Sequence, residues 1–356
     1  MKLIQKKGYK KVKIRKKQKY DCNYYLNIKI SLINLILILF CIIILIITFY
    51  IIIKRRNKNI LINKISNKQN KTENNNVLEN SNENEEKIYL DQFETYIYNN
   101  IKEQLDKHDC CQMWDNQREF LNGVVRKFRP KKIVEIGVYK GGGTSIILNA
   151  IQDIENAHLY SIDLSDDHKI GKCVRNLFPN FLNKWTLFAG DITAKFMEQI
   201  GNNIDMVMID SAHFEPGEIL DFIMVLPFLK EEAIVGIHDI ANQITKSPKR
   251  NEYAPYIIFN IIRGKTYLPS GEKRLRHDIG AKKLEINQMK YIHDYFRALG
   301  GQWQYFPKEK HIQLMTEYFK KYYDNDCLIM FNETVEFNRH FVKKNPRGQI
   351  YGYNSD

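Results

Sequence analysis

Between residues 130 and 240, five short, nearly uninterrupted apolar runs alternate with segments of helical spacing, and this alternation is what most constrains the fold. The runs are Lys132–Ile136, His158–Ile162, Trp185–Ala189, Ile204–Ile209 and Ala233–Ile237. Helical patterns begin near Thr144 and run from about Pro216 to Leu229. Strands that are apolar on successive residues must be covered on both faces, and helical segments between them demand crossover connections. Together these predict a doubly wound, Rossmann-like α/β domain with a mostly parallel sheet and helices on both faces. Ile279–Leu284 and Leu328–Phe331 are the candidates for its last strands. Two helical patterns lead in, one over Tyr89 to Leu105 and one over Phe120 to Phe128. In such sheets ligands bind beyond the carboxyl ends of the strands, so the polar residues at those ends are the candidate site.

The first strand runs through Glu135 into Gly137, and the turn continues through Gly141-Gly142-Gly143-Thr144. A dinucleotide fingerprint reads G-x-G-x-x-G, whereas this turn spaces its glycines as G-x-x-x-G-G-G with an acid two residues before the first. An acid there favours a cationic ligand over a pyrophosphate, which disfavours the alternative of a nicotinamide-dependent oxidoreductase. Asp163 ends the second run, and Gly190-Asp191 follows the third. The fourth run ends in Asp210 and is followed by Ser211-Ala212-His213; the fifth ends in His238-Asp239. Neighbouring strands lie about 4.8 Å apart, so Asp210 and Asp239 can converge on one hard cation such as Mg²⁺, with His213 turned to a substrate hydroxyl as general base.

The set E-x-G-x-x-x-G-G-x-T, an acid-ended second strand and Gly-Asp after the third resembles the class I S-adenosylmethionine-dependent methyltransferases over about residues 112 to 240. The resemblance implies a seven-stranded sheet, with Glu135 toward the methionyl ammonium, Gly137 and Gly141 along the cofactor, Asp163 on the ribose and Asp191 on the adenine. Asp-Ser-Ala-His with a later His-Asp is similar to the metal-dependent sugar O-methyltransferases, the cephalosporin hydroxylases and the rhamnosyl methyltransferases. That likeness implies O-methylation of a small-molecule or glycan-linked acceptor, as in polysaccharide biosynthesis, with Asp210, Asp239 and His238 as metal ligands and Asp210 and His213 as catalytic residues. His238 departs from that group, where an acidic ligand is usual.

Flanking segments carry a different message. Ile30 to Ile53 is a run of 24 residues without a charge, longer than the roughly 20 residues a bilayer core requires. A single membrane-spanning helix is expected there, following a basic tail over 1–29. Residues 54–86 have the composition of a tether, with Asn at 11 of the 30 positions from Asn57 to Glu86. The further divisions are lead-in helices or a lid over 87–130, a catalytic core over 131–300 and a C-terminal extension over 301–356. The net charge of +13 is an N-terminal property: residues 1–71 hold 18 Lys and Arg against the single acid Asp21, leaving 36 bases against 40 acids beyond them. A nucleic-acid-binding core therefore lacks an electrostatic motive. Basic residues crowd both ends of the apolar run, so charge does not orient it. Six cysteines without C-x-x-C spacing suggest a reduced, cytosol-facing chain, and a cytosolic supply of cofactor points the same way. A tethered module that binds without turnover is the non-enzymatic alternative, and the oligomeric state is not legible.

Overall fold

A computed structural model describes residues 92–241, 253–269, 278–285 and 287–344. The tail, the apolar run Ile30 to Ile53 and the tether lie outside the described residues, as does the stretch 242–252 with its bases Lys246, Lys249 and Arg250. Among the described residues, no helix is long and apolar enough to cross a membrane.

Helices α1 (Gln92–Lys107) and α2 (Asp115–Phe128) precede strand β1 (Lys132–Ile136). Then follow α3 (Gly142–Ala150), β2 (His158–Asp163), α4 (Lys172–Leu177), β3 (Trp185–Ala189), α5 (Met197–Ile200), β4 (Ile204–Ile209), α6 (Gly217–Val225) and β5 (Leu229–His238). Helix α7 (Ala254–Ile261), β6 (Gly264–Tyr267), β7 (Ile279–Leu284), α8 (Ile292–Ala298), α9 (Glu309–Tyr322) and α10 (Asn325–Lys344) complete the order. The sheet has seven strands in the order β3-β2-β1-β4-β5-β7-β6. β1 to β5 are mutually parallel, while β7 runs antiparallel to both of its neighbours. Leu328–Phe331, expected as a strand, lies inside α10. Asp324 explains why: its Oδ1 accepts the Cys327 backbone N–H at 2.8 Å, so the apolar run begins one turn into a capped helix.

Successive residues of each strand face opposite layers. Ile133, Leu159, Met206, Met208 and Ile234 pack with α1 to α4, whereas Val134, Ile162, Val207, Ile209, Val235 and Ile237 pack with α5 to α10. Residues beyond 301 belong to the second layer: Trp303, Ile312, Phe319 and Phe331 are buried with Ile219 and Val207. The tyrosines Tyr318 and Tyr323 donate their hydroxyls to Met224 and Ile223 carbonyls at the end of α6, satisfying acceptors that a helix terminus leaves open.

The cysteines correct the sequence reading. Cys110 is bonded to Cys173, 63 residues away, and Cys111 and Cys327 are free thiols. The adjacent pair Cys110-Cys111 hid this partnership, because proximity in three dimensions leaves no trace in the spacing. A disulfide belongs with oxidising surroundings, contrary to the reduced chain expected from the cysteine spacing.

Phe319 is fully buried and meets Phe296 and Phe331 edge to face. Phe319→Ala is expected to cost about 3–5 kcal/mol of stability, read as a lower urea midpoint with an unchanged slope; a loss under about 1 kcal/mol would show that α9 is not part of the cooperative core.

Candidate active site

Strand register assembles the site. Ile136 pairs with Ile162 and with Ile209, and Ile209 pairs with Ile237. One residue further on, Asp163, Gly137, Asp210 and His238 therefore stand level along the carboxyl edge of the sheet, with Asp163 also level with Ala189. Sequence order separates these residues by up to a hundred positions, and parallel pairing puts them in one row.

Gly137 has φ +90°, and a Cβ placed on it would lie 1.9 Å from the Asp210 carbonyl oxygen. The β1 turn and the loop after β4 are thus in backbone contact, and only glycine permits it. Gly141, at φ +91°, opens α3. The next glycine serves a different purpose: a Cβ on Gly142 would meet the Cys110 carbonyl oxygen and the Cys111 Cβ, both at 2.5 Å. The segment between α1 and α2 therefore lies against the glycine turn. Its disulfide to Cys173 and the Arg118 bonds to the Met113 and Cys111 carbonyls, 2.7 and 2.9 Å, hold it there. Met113 is buried within this segment and Trp114 is exposed.

Glu135 is buried beneath the turn, where its Oε2 accepts the Thr144 hydroxyl at 2.8 Å and the Ser161 hydroxyl at 2.6 Å. Burial lifts its pKa to about 8; the two hydroxyl bonds oppose the shift and the charges of Asp210 and Asp163 add to it. Asp163 uses one oxygen to accept the Val138 and Tyr139 N–H groups, at 2.9 and 3.0 Å, and the other to accept Ser165 N–H at 2.9 Å. Asp191 accepts Ile192 N–H at 2.9 Å, and its Oδ1 lies 3.4 Å from Nε2 of His311, a buried residue of α9. His311 was not a candidate on sequence, and nothing in its spacing marks it.

Across the row, Asp210, His213 and Asp239 offer donor atoms within 4.8 Å of one another. His213 Nε2 is 3.1 Å from Asp239 Oδ2 and 3.8 Å from Asp210 Oδ1. Its Nδ1 lies 3.3 Å from Glu218 Oε1, and Glu218 also accepts the His213 backbone N–H. Glu218 is fully buried in the first turn of α6, five residues after His213, and escaped the sequence reading. His238 Nδ1 lies 3.3 Å from Asp210 Oδ1 and 3.4 Å from Asp239 Oδ2. His213 and Asp239 both take left-handed backbone, φ +60° and +58°, which non-glycine residues adopt where the surroundings impose it. Burial disfavours the charged form of His213, but the Glu218 contact and the charges of Asp239 and Asp210 outweigh it and lift its pKa to about 9. His238 is raised well above the ordinary histidine value: burial again opposes, and Asp210 and Asp239 prevail. Asp221 accepts the hydroxyls of Thr193 and Ser211, each at 2.7 Å, and so ties the loop after β3 to the loop after β4.

Residues 134–240 match the Methyltransf_24 family, a methyltransferase domain. The matched segment is similar to that domain. It contains every candidate residue named on sequence, while Glu218 and Asp221 also fall inside it and His311 lies beyond it. No curated protein matches the chain. Among solved structures, the chain is similar to an O-methyltransferase from Bacillus cereus in complex with SAH, at 14% identity over 55% of this chain and 92% of that one, TM-score 0.41. It is also similar to the O-methyltransferase TomG of Streptomyces achromogenes with SAM (15%, 55% and 92%, 0.40) and to the SAH-bound methyltransferase PaMTH1 of Podospora anserina (13%, 59% and 99%, 0.41).

The Glu135 shift fixes a sign. With a folded pKa of about 8 against an ordinary carboxyl value, the folded state retains a proton that the unfolded state has lost, so stability falls as pH rises between the two. Glu135→Gln should therefore gain in melting temperature relative to the parent protein from about pH 5 to about pH 8. A difference that does not change with pH would mean that Glu135 is ionised throughout.

Proposed function

We propose that the protein is an S-adenosylmethionine-dependent O-methyltransferase for a small-molecule hydroxyl, with a sugar or glycan-linked acceptor as the leading class, and that Ile30 to Ile53 tethers it to a membrane. The observation that carries this reading is the level row of Asp163, Gly137, Asp210 and His238 inside a methyltransferase domain. The nicotinamide alternative needs backbone N–H groups free to meet a pyrophosphate. In this turn Val138 and Tyr139 donate theirs to Asp163 instead. The surroundings suit a cationic nucleoside: Glu135 under the turn, Asp163 at the end of β2, Asp191 after β3, and glycine backbone between them. When bound there, the cofactor supplies a methyl group made electrophilic by its sulfonium.

The chain's own residues do the rest. Asp163 and Asp191 are the groups for ribose and adenine, and the Asp163 bonds to Val138 and Tyr139 hold the turn in shape around them. With its pKa lifted to about 9, His213 must first release a proton, after which Nε2 receives that of the acceptor hydroxyl as the oxygen attacks, which is general-base catalysis. Glu218 at Nδ1 accepts the ring N–H and leaves Nε2 as the basic nitrogen, and once Nε2 carries the proton Asp239 stabilises the imidazolium that results. Mg²⁺ fits this corner poorly: it takes oxygen ligands, and imidazole nitrogens stand among the carboxylates here. No step is assigned to it.

Incubation with cofactor labelled in its methyl group should place label on an acceptor oxygen, and label found only on nitrogen or sulfur would contradict the reading. His213→Ala should lower kcat by about 100-fold or more while leaving adenosylhomocysteine affinity intact; full turnover would remove His213 as base. Asp163→Ala should reduce that affinity by more than about tenfold, an effect of about 1.4 kcal/mol, in equilibrium binding.

A further inference from the structure

Away from the sheet edge, nitrogen, oxygen and sulfur meet between two helices of the C-terminal part. His293 of α8, Asp324 just ahead of α10 and Cys327 in the first turn of α10 each offer one donor atom, and the three atoms lie within 4.8 Å of one another. Asp324 divides its oxygens: Oδ1 accepts the Cys327 backbone N–H at 2.8 Å, while Oδ2 lies 3.3 Å from His293 Nε2. That separation is long for a charge-assisted hydrogen bond. It matches the edge, about 3.3 Å, of a tetrahedron whose donors stand about 2.0 Å from the centre. Cys327 is fully buried and its thiol faces the same carboxylate. Burial, then the Asp324 contact and the charges of Asp324 and Asp326, push that thiol's pKa up to about 12, and all of the charges that shift it are negative.

Donor type decides what such a corner accepts. Magnesium and calcium take oxygen, whereas sulfur with imidazole nitrogen suits zinc and cobalt. We propose that His293, Asp324 and Cys327 form a binding site for a divalent ion of the zinc class, which pins α10 to α8. The ion's two charges balance one carboxylate and one thiolate beside a neutral imidazole. The thiol proton leaves to solvent as the metal–sulfur bond forms. Asp324 is exposed and His293 half-buried, so water reaches the fourth tetrahedral position. The site lies outside residues 134–240 and is independent of the function proposed above.

The full-length protein in detergent micelles, stripped with EDTA and with its disulfide left intact, is titrated with Co²⁺. One equivalent should raise a near-ultraviolet sulfur-to-cobalt charge-transfer band that Zn²⁺ abolishes and excess Mg²⁺ leaves in place. Asp324→Asn keeps a helix cap, since asparagine caps as well as aspartate does, and removes the charge. The band should be lost in this variant while far-ultraviolet circular dichroism is unchanged. His293→Ala should weaken Co²⁺ binding by more than about tenfold. Cys111→Ser must keep the band, because the free Cys111 thiol is close enough to Asp210 and His238 to feel their charges and is the rival source of sulfur. No sulfur band in the parent protein, a band that survives in Asp324→Asn, unchanged affinity in His293→Ala, or a band lost in Cys111→Ser would overturn the proposal.

Discussion

At their carboxyl ends β1 and β4 come so close that position 137 has no room for a side chain, and the Asp210 carbonyl occupies the space a Cβ would fill. The rest of the site follows from this contact. β1 carries the glycine turn, β4 carries the loop with Asp210 and His213, and the strand order reverses between them. A crevice opens where the order reverses. Because the two backbones touch there, the glycine turn and the acid–imidazole cluster are parts of one structure.

Other elements hold this arrangement. Asp163 binds the β1 turn from the β2 side, Asp221 bridges the loops after β3 and β4, and the Cys110–Cys173 bond clasps the lead-in segment over the glycines. Helices α9 and α10, beyond the matched methyltransferase domain, close the second layer of the core and bring His311 to Asp191. The C-terminal part is thus continuous with the core and reaches the predicted adenine end of the site.

Much of this was legible in the sequence because the physics is local. Strands buried on both faces read as apolar runs, and five of them were placed to within a few residues. The acids at their ends were visible as well, and the parallel order made Asp210 and Asp239 neighbours in advance. What escaped depends on partners distant in sequence or on helical phase. Cys173 pairs with Cys110 only once α4 folds against the segment before α2. Glu218 meets His213 because the chain turns back between them, and His311 arrives from another layer. Leu328–Phe331 is a short apolar run of the kind that strand and helix share, and Asp324 as a cap was the signal that would have settled it.

The central claim is that the acid-flanked glycine turn holds a cationic sulfur nucleoside and not a pyrophosphate. Calorimetric titration of the purified protein with adenosylhomocysteine and, separately, with NADH tests it most directly. The account predicts saturable heat with the first at one site per chain and none with the second; heat with NADH alone would contradict it.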